Sequence, residues 1–148
     1  MKSIRFFFIM ILGLLGTNAL AQTTLSEAVA PGNKVYFQLV NDKDHPIPDD
    51  EIEDVTRELV NAGGWISVAT PEEADFILKV EAKKKMVFNS PRTWLTPSVL
   101  DKDGQELWKA KTQQADATMF NGFKATDTCI GKVIEKSFKA DLFKKANR

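Results

Sequence analysis

The residue pattern predicts an α+β fold: a two-layer sandwich with a mixed, mainly antiparallel sheet of four or five strands and two helices on one face, in the order β-α-β-β-β-β-α. Three observations carry this. Two stretches alternate apolar and polar residues as half-buried strands do, two others repeat apolar residues at helical spacing, and turn-forming residues separate them.

The chain opens with Lys2 and Arg5 ahead of an apolar run from Phe6 to Leu12, continued by Gly13-Leu14-Leu15 and closed by the small-x-small sequence Ala19-Leu20-Ala21. This predicts a signal peptide over 1–21, cut after Ala21, and a periplasmic or secreted protein. Its apolar positions would span roughly 15 Å as a helix, about half of a bilayer core, so stable membrane insertion after leader removal is not expected. Removing 21 of the 148 residues leaves 127, the size of one domain with one core. Without Lys2 and Arg5 there are 18 basic residues against 20 acidic ones, a formal −2, and this balance argues against a nucleic-acid or anionic-membrane binder.

Cys129 is the only cysteine, so no intramolecular disulfide can form. Gln22 stands where a lipoprotein would carry its acylated cysteine. Cys129 falls inside a helical apolar pattern and reads as a small buried hydrophobe, with an intermolecular bridge or a reactive thiol as the rarer alternatives.

Residues 22–33 are small and polar, ending Ala30-Pro31-Gly32-Asn33, and read as a flexible approach to a single domain over 34–148. Val35, Phe37 and Leu39 mark the first strand. Asp50 and Glu53 have capping-box spacing ahead of Ile52, Val55, Leu59 and Val60, and Gly63-Gly64 supplies the stop of that helix. Its outer face is acidic, with eight carboxylates and only Lys43 and Arg57 over 41–58. Trp65 to Ala69 is a short strand, and Thr70-Pro71-Glu72-Glu73 a second capping box opening a single turn.

Asp75 to Phe88 is the longest strand, with Phe76, Leu78, Val80 and Ala82 on one side and Ile77, Lys79, Glu81 and Lys83 on the other. Asn89 to Arg92 turns the chain, Trp94 to Leu100 returns, and Asp101-Lys102-Asp103-Gly104 makes a tight connection into Gln105 to Thr112. The last segment carries a helical stripe of Phe123, Thr126, Ile130, Val133, Ile134, Ser137, Phe138 and Leu142, with a basic outer side.

Residues with reactive side chains are scattered. His45, the only histidine, lies in a loop between Asp44 and Pro46, and no Gly-x-Ser-x-Gly or Ser-x-x-Lys motif occurs. Asp101 to Gly104 lacks the twelve-residue ligand spacing of an EF-hand, and successive carboxylates over 49–54 point around a helix axis instead of converging. The expectation is therefore no enzyme, no metal and no cofactor. Trp65, Trp94 and Trp108 fit core or rim packing better than a sugar platform.

The best candidate contact surface is Lys83, Lys84 and Lys85 with Arg92 and Trp94 across the turn, since cations beside aromatics hold anionic or acidic faces. The competing explanation, which requires nothing beyond the fold, is lysines protecting an edge strand.

Pro71-Glu72-Glu73-Ala74-Asp75-Phe76-Ile77-Leu78-Lys79-Val80 and the Val99 to Trp108 hairpin, which reverses through Asp and Gly and re-enters at Leu107-Trp108, resemble motifs of a set of small bacterial envelope domains. The set includes the amino-terminal domain of the Tol-system propeller protein, the periplasmic domain of the curli secretion lipoprotein and uncharacterised lipoproteins. The resemblance covers most of 34–146 and implies a strand-helix-strand-meander-helix module for assembly or binding. It carries over no functional residue. The sequence thus points to an exported, non-enzymatic protein-binding module of the envelope with an envelope protein as partner, and its charge asymmetry allows self-association between the acidic helix and the basic terminal helix. The alternative is a carrier of a small apolar ligand held by Phe76, Leu78, Ile130 and Phe138.

Overall fold

A computed structural model of the chain describes residues 23–148, and the leader read over 1–21 lies outside the described residues. A short helix α1 (Leu25–Ala28) precedes β1 (Lys34–Asn41), α2 (Asp49–Gly63), β2 (Ile66–Ser67), a 3-10 turn (Pro71–Glu73), β3 (Phe76–Val87), β4 (Ser90–Leu100), β5 (Glu106–Lys109) and β6 (Gln113–Asp116). A second 3-10 turn (Met119–Asn121) leads to a terminal helix made of α3 (Ala125–Lys132), a π-wound stretch (Val133–Leu142) and α4 (Phe143–Ala146).

The sheet runs β2-β1-β3-β4-β5, with β6 also beside β4. β1 is parallel to β2 and β3, and the remaining pairs are antiparallel. The α+β sandwich expected from the sequence is the fold found.

Strand alternation builds the two sides of this sheet. Phe76, Leu78, Val80 and Ala82 of β3 pair with Val99, Pro97 and Leu95 of β4 and with Val35, Phe37 and Leu39 of β1, and this face is covered by the helices. From the helices come Val55, Leu59, Val60, Ile130, Val133, Phe138 and Leu142, all buried. Trp65 closes one end, its ring edge-on to Phe76 at 5.0 Å and to Phe138 at 5.8 Å. Phe76, Leu78, Ile130 and Phe138, the side chains of the carrier alternative, are members of this one continuous core.

Several local expectations are corrected. The segment before Lys34 packs instead of staying flexible: Ala28 and Val29 are buried, Asn33 donates to the carbonyls of Glu27 and Ala28, and Trp65 Nε1 donates to the Val29 carbonyl at 2.8 Å. Composition alone did not show that a distant tryptophan would hold it. Helix α2 starts at Asp49 after an extended Pro48 and has no side-chain capping bond, so the Asp50–Glu53 box does not form. Asp49, Asp50 and Glu51 instead complement the helix dipole from the first turn. Thr70 likewise makes no capping bond, although the single turn after it is present.

The β3–β4 connection is tighter than expected. Val87 pairs with Ser90, so the turn is Phe88-Asn89 alone, and Pro91 and Arg92 belong to β4. The strand read over 105–112 is two short strands along the same edge of β4. They break where Pro97, whose carbonyl accepts from Ala110, has no N–H to return a bond, close to a register slip at Val99/Leu100. This raises the strand count to six. Phe123 is not on the terminal helix; it lies before it, exposed, with φ +62°.

Candidate functional surface

The helices leave the second face of the sheet open. Tyr36, Gln38 and Val40 of β1, Lys79, Glu81, Lys83 and Lys85 of β3, and Arg92, Trp94, Thr96 and Ser98 of β4 occupy the alternate positions there, as the registers require. Lys83 and Trp94 are direct cross-strand partners, and Trp94 faces Gln114 on its other side.

Trp94 is held from several directions. Its Nε1 donates to Gln114 Oε1 at 2.9 Å, while Lys83 Nζ lies 5.3 Å and the Arg92 guanidinium carbon 5.8 Å from the ring centroid. Both distances are within cation–π range. Arg92 is fixed in turn by a two-bond fork to its register partner Asp116, Nε to Oδ1 and Nη2 to Oδ2. That pairing holds the Asp116 carboxyl below its usual range and raises the guanidinium further.

Beside this cluster lies a groove of about 470 Å³ whose walls include Val40, Asp42, Glu81, Lys83, Trp94 and Thr96. Lys83 of β3 and Trp94 of β4 give it a cationic, aromatic part, and its carboxylates are Glu81 of β3 and Asp42 in the loop after β1. Asp42 accepts from the backbone N–H groups of His45 and Asp44, which lowers its carboxyl pKa. The groove thus presents the Trp94 ring with the Lys83 ammonium over it and, beside them, the Glu81 and Asp42 carboxylates.

Of the five residues proposed from sequence, Lys83, Arg92 and Trp94 come together. Lys85 is on the same side one pleat further along, across from Arg92. Lys84 points to the helix side and pairs with Glu51 at the start of α2. The lysine run therefore splits between two faces, as strand alternation demands. β3 is interior as far as Ala82, which pairs with Asn41 at the end of β1, and continues past it as the outer strand of a hairpin. Sequence reasoning missed Gln114 and Asp116, because the strand carrying them is short; buried Ala115 between polar neighbours was the available signal.

The other candidates have structural places. Trp65 is buried at the core's end, and Trp108 is buried with Nε1 donating to Asp141 Oδ2 at 2.8 Å. Cys129 is buried beneath the sheet, and burial pushes its thiol up to about 12. His45 lies in the β1–α2 loop with Nδ1 3.7 Å from Asp42. Asp101 accepts from the backbone of Asp103 and Gln105 and closes its hairpin turn, with Gly104 at φ +84°. Among the described residues, no three His, Cys, Asp or Glu side chains gather as a metal site, and no helix is long and apolar enough to cross a membrane.

No protein-family model and no curated protein matches the chain. Among solved structures it is similar to the PelC dodecamer of Paraburkholderia phytofirmans, with TM-score 0.53 and 16% identity over 73% of this chain and 86% of that one. A single-substitution variant of the same protein gives 0.54 at 16% identity over 73% and 87%. A minor lipoprotein of Acinetobacter baumannii gives 0.48 at 13% identity over 72% and 91%. At these identities the PelC likeness is one of fold, shared across most of the chain.

Proposed function

We propose that this chain is an exported, non-enzymatic module of the bacterial envelope, periplasmic or secreted, that holds a protein partner on the open face of its sheet. The observation that carries the reading is the Lys83–Trp94–Arg92 cluster. A large aromatic is fixed by hydrogen bonding and flanked by two cations beside a groove on a face that no other part of the described chain covers. Aromatic and arginine side chains dominate the energetics of protein interfaces, and a fixed ring loses little entropy on binding. An acidic stretch of the partner would meet Lys83, while Arg92 stays committed to Asp116. The reading also draws on the sequence of residues 1–21 and on the burial of the one thiol.

Capture from envelope extract with the wild-type protein and with Trp94→Ala tests it. A specific partner retained by the wild type and lost by the variant supports the reading, and equal capture by both sinks it.

Self-association is a second reading, favoured by the charge separation between α2 and the terminal helix. The similar PelC is a dodecamer by its description. A head-to-tail contact between Asp50, Glu53 and Glu58 of one copy and Lys136, Lys139 and Lys144 of the next would generate a ring or a filament. Light scattering in low and high salt tests this, because screening would dissolve such an oligomer.

A further inference from the structure

Five large apolar side chains stand in water at one end of the molecule. Phe88 is 98% exposed, Phe120 96%, Met119 73%, Phe123 72% and Met86 60%. They come from a hairpin tip and a neighbouring loop. The β3–β4 hairpin contributes Met86, near the end of β3, and Phe88 in its turn, and the segment after β6 contributes Met119, Phe120 and Phe123. The two are joined where Ala117 N donates to the Pro91 carbonyl and Ser90 Oγ to the Ala117 carbonyl.

Two of these phenylalanines also sit where the backbone disfavours them. Phe88 has φ +51° and Phe123 φ +62°, the left-handed region that glycine or asparagine fills without penalty. The two-residue turn Phe88-Asn89 is of the kind that takes Asn-Gly. A bulky ring there strains the backbone and leaves apolar surface in water, and the isolated domain gains nothing in return. Such strain is characteristic of sites that meet something outside the domain.

The shape and charge of this end select the occupant. The apolar residues are carried on protruding tips and not in a concavity, so they suit a soft, continuous apolar phase better than a matching protein pocket. Cations lie behind them: Lys85 on the strand leading to the tip, and Lys124 beside Phe123, its Nζ 4.0 Å from Asp127. The nearby Asp116 is already neutralised by Arg92. Apolar tips with lysines set back from them match the layering of a bilayer surface, with acyl chains beneath anionic headgroups.

We propose that this end docks peripherally onto a phospholipid bilayer carrying anionic headgroups, with Phe88, Phe120 and Phe123 inserted and Lys85 and Lys124 at headgroup level. The formal −2 over residues 22–148 disfavours an anionic membrane for the molecule as a whole, and what favours one here is local: Lys85 and Lys124 behind the apolar tips. The docking end is separate from the Trp94 groove, so either property can fail without the other.

Flotation of the purified protein with vesicles of phosphatidylethanolamine and phosphatidylglycerol tests it. The wild type should co-float, and binding should weaken as salt rises. Phe88→Asn with Phe120→Ser should lose about tenfold or more of the bound fraction while the thermal midpoint holds or rises, since asparagine suits the turn. Lys85→Glu with Lys124→Glu should also weaken binding. If Phe88→Asn unfolds the protein, Phe120→Ser with Phe123→Ser is judged instead. A wild type that stays with the soluble fraction overturns the proposal, as does unchanged binding by the apolar variants. A drop in oligomer mass of those variants without vesicles would assign the surface to a second copy and equally overturn it.

Discussion

Lys84 leaves its neighbours Lys83 and Lys85 on the open face and reaches through to the helix side, where its ammonium meets the Glu51 carboxylate at the start of α2. Both side chains are about a quarter exposed; Lys84 Nζ meets Oε1, and Glu51 Oε2 has no partner among the described residues. The pair pins the first turn of α2 to the base of the β3–β4 hairpin. Replacing Lys84 by Met leaves a half-buried carboxylate alone and should cost about 1–3 kcal/mol by urea denaturation. Lys83→Met and Lys85→Met should stay within roughly 0.5 kcal/mol. Equal effects at all three positions would contradict the split.

Two helical glycines predict opposite signs for one substitution. A Cβ on Gly63 would lie 2.3 Å from the Trp65 ring, whereas Gly131 has nothing within 4 Å. Gly63→Ala should therefore destabilise by about 1–3 kcal/mol through overpacking, and Gly131→Ala should stabilise by about 0.5–1 kcal/mol through helix propensity. Thermal midpoints of the two variants check this.

Trp65 ties the segment before β1 to the core through its bond to the Val29 carbonyl. Trp65→Phe keeps the aromatic contacts with Phe76 and Phe138 but leaves that carbonyl without its donor. The expected cost is about 1–3 kcal/mol, with faster amide exchange concentrated at residues 24–33. Exchange that accelerates uniformly along the chain would contradict this local role.

Asp141 accepts from Trp108 and from Lys145, and these bonds depress its carboxyl pKa, the Trp108 bond contributing most. The folded value lies below the unfolded one. The stabilisation is therefore present above the ordinary carboxylate value of 3.8 and is lost as pH falls through the depressed one. Asp116, lowered by Arg92, has the same sign. Asp141→Asn should flatten part of the acid loss of stability, read as the change in urea midpoint between neutral and strongly acidic solution. An unchanged acid slope would show that this carboxylate is not a contributor.

The layers were legible in the sequence because they follow from period. The alternation of Phe76, Leu78, Val80 and Ala82 identified the inner face of β3, and the stripe from Thr126 to Leu142 identified the terminal helix. Features decided by distant partners were not legible. The packing of Ala28 and Val29 depends on Trp65, and the broken edge of β5 and β6 depends on Pro97 opposite it. Half of the candidate surface was visible, since Lys83, Arg92 and Trp94 were named together. Lys84 was misassigned by treating a run of like residues as one patch, which strand alternation forbids. Phe123 was read onto the helix stripe because apolar spacing does not reveal a positive φ.

A partner seated in the groove beside Trp94 would lie against Thr96. A photo-crosslinking residue in place of Thr96, on the groove wall, can be compared in intact envelopes with the same residue in place of Lys102, in the far hairpin turn. A discrete protein adduct is expected from position 96, lost when Trp94→Ala is added, and none from position 102. The same adducts from both positions, or an adduct at 96 that persists without Trp94, would contradict this placement.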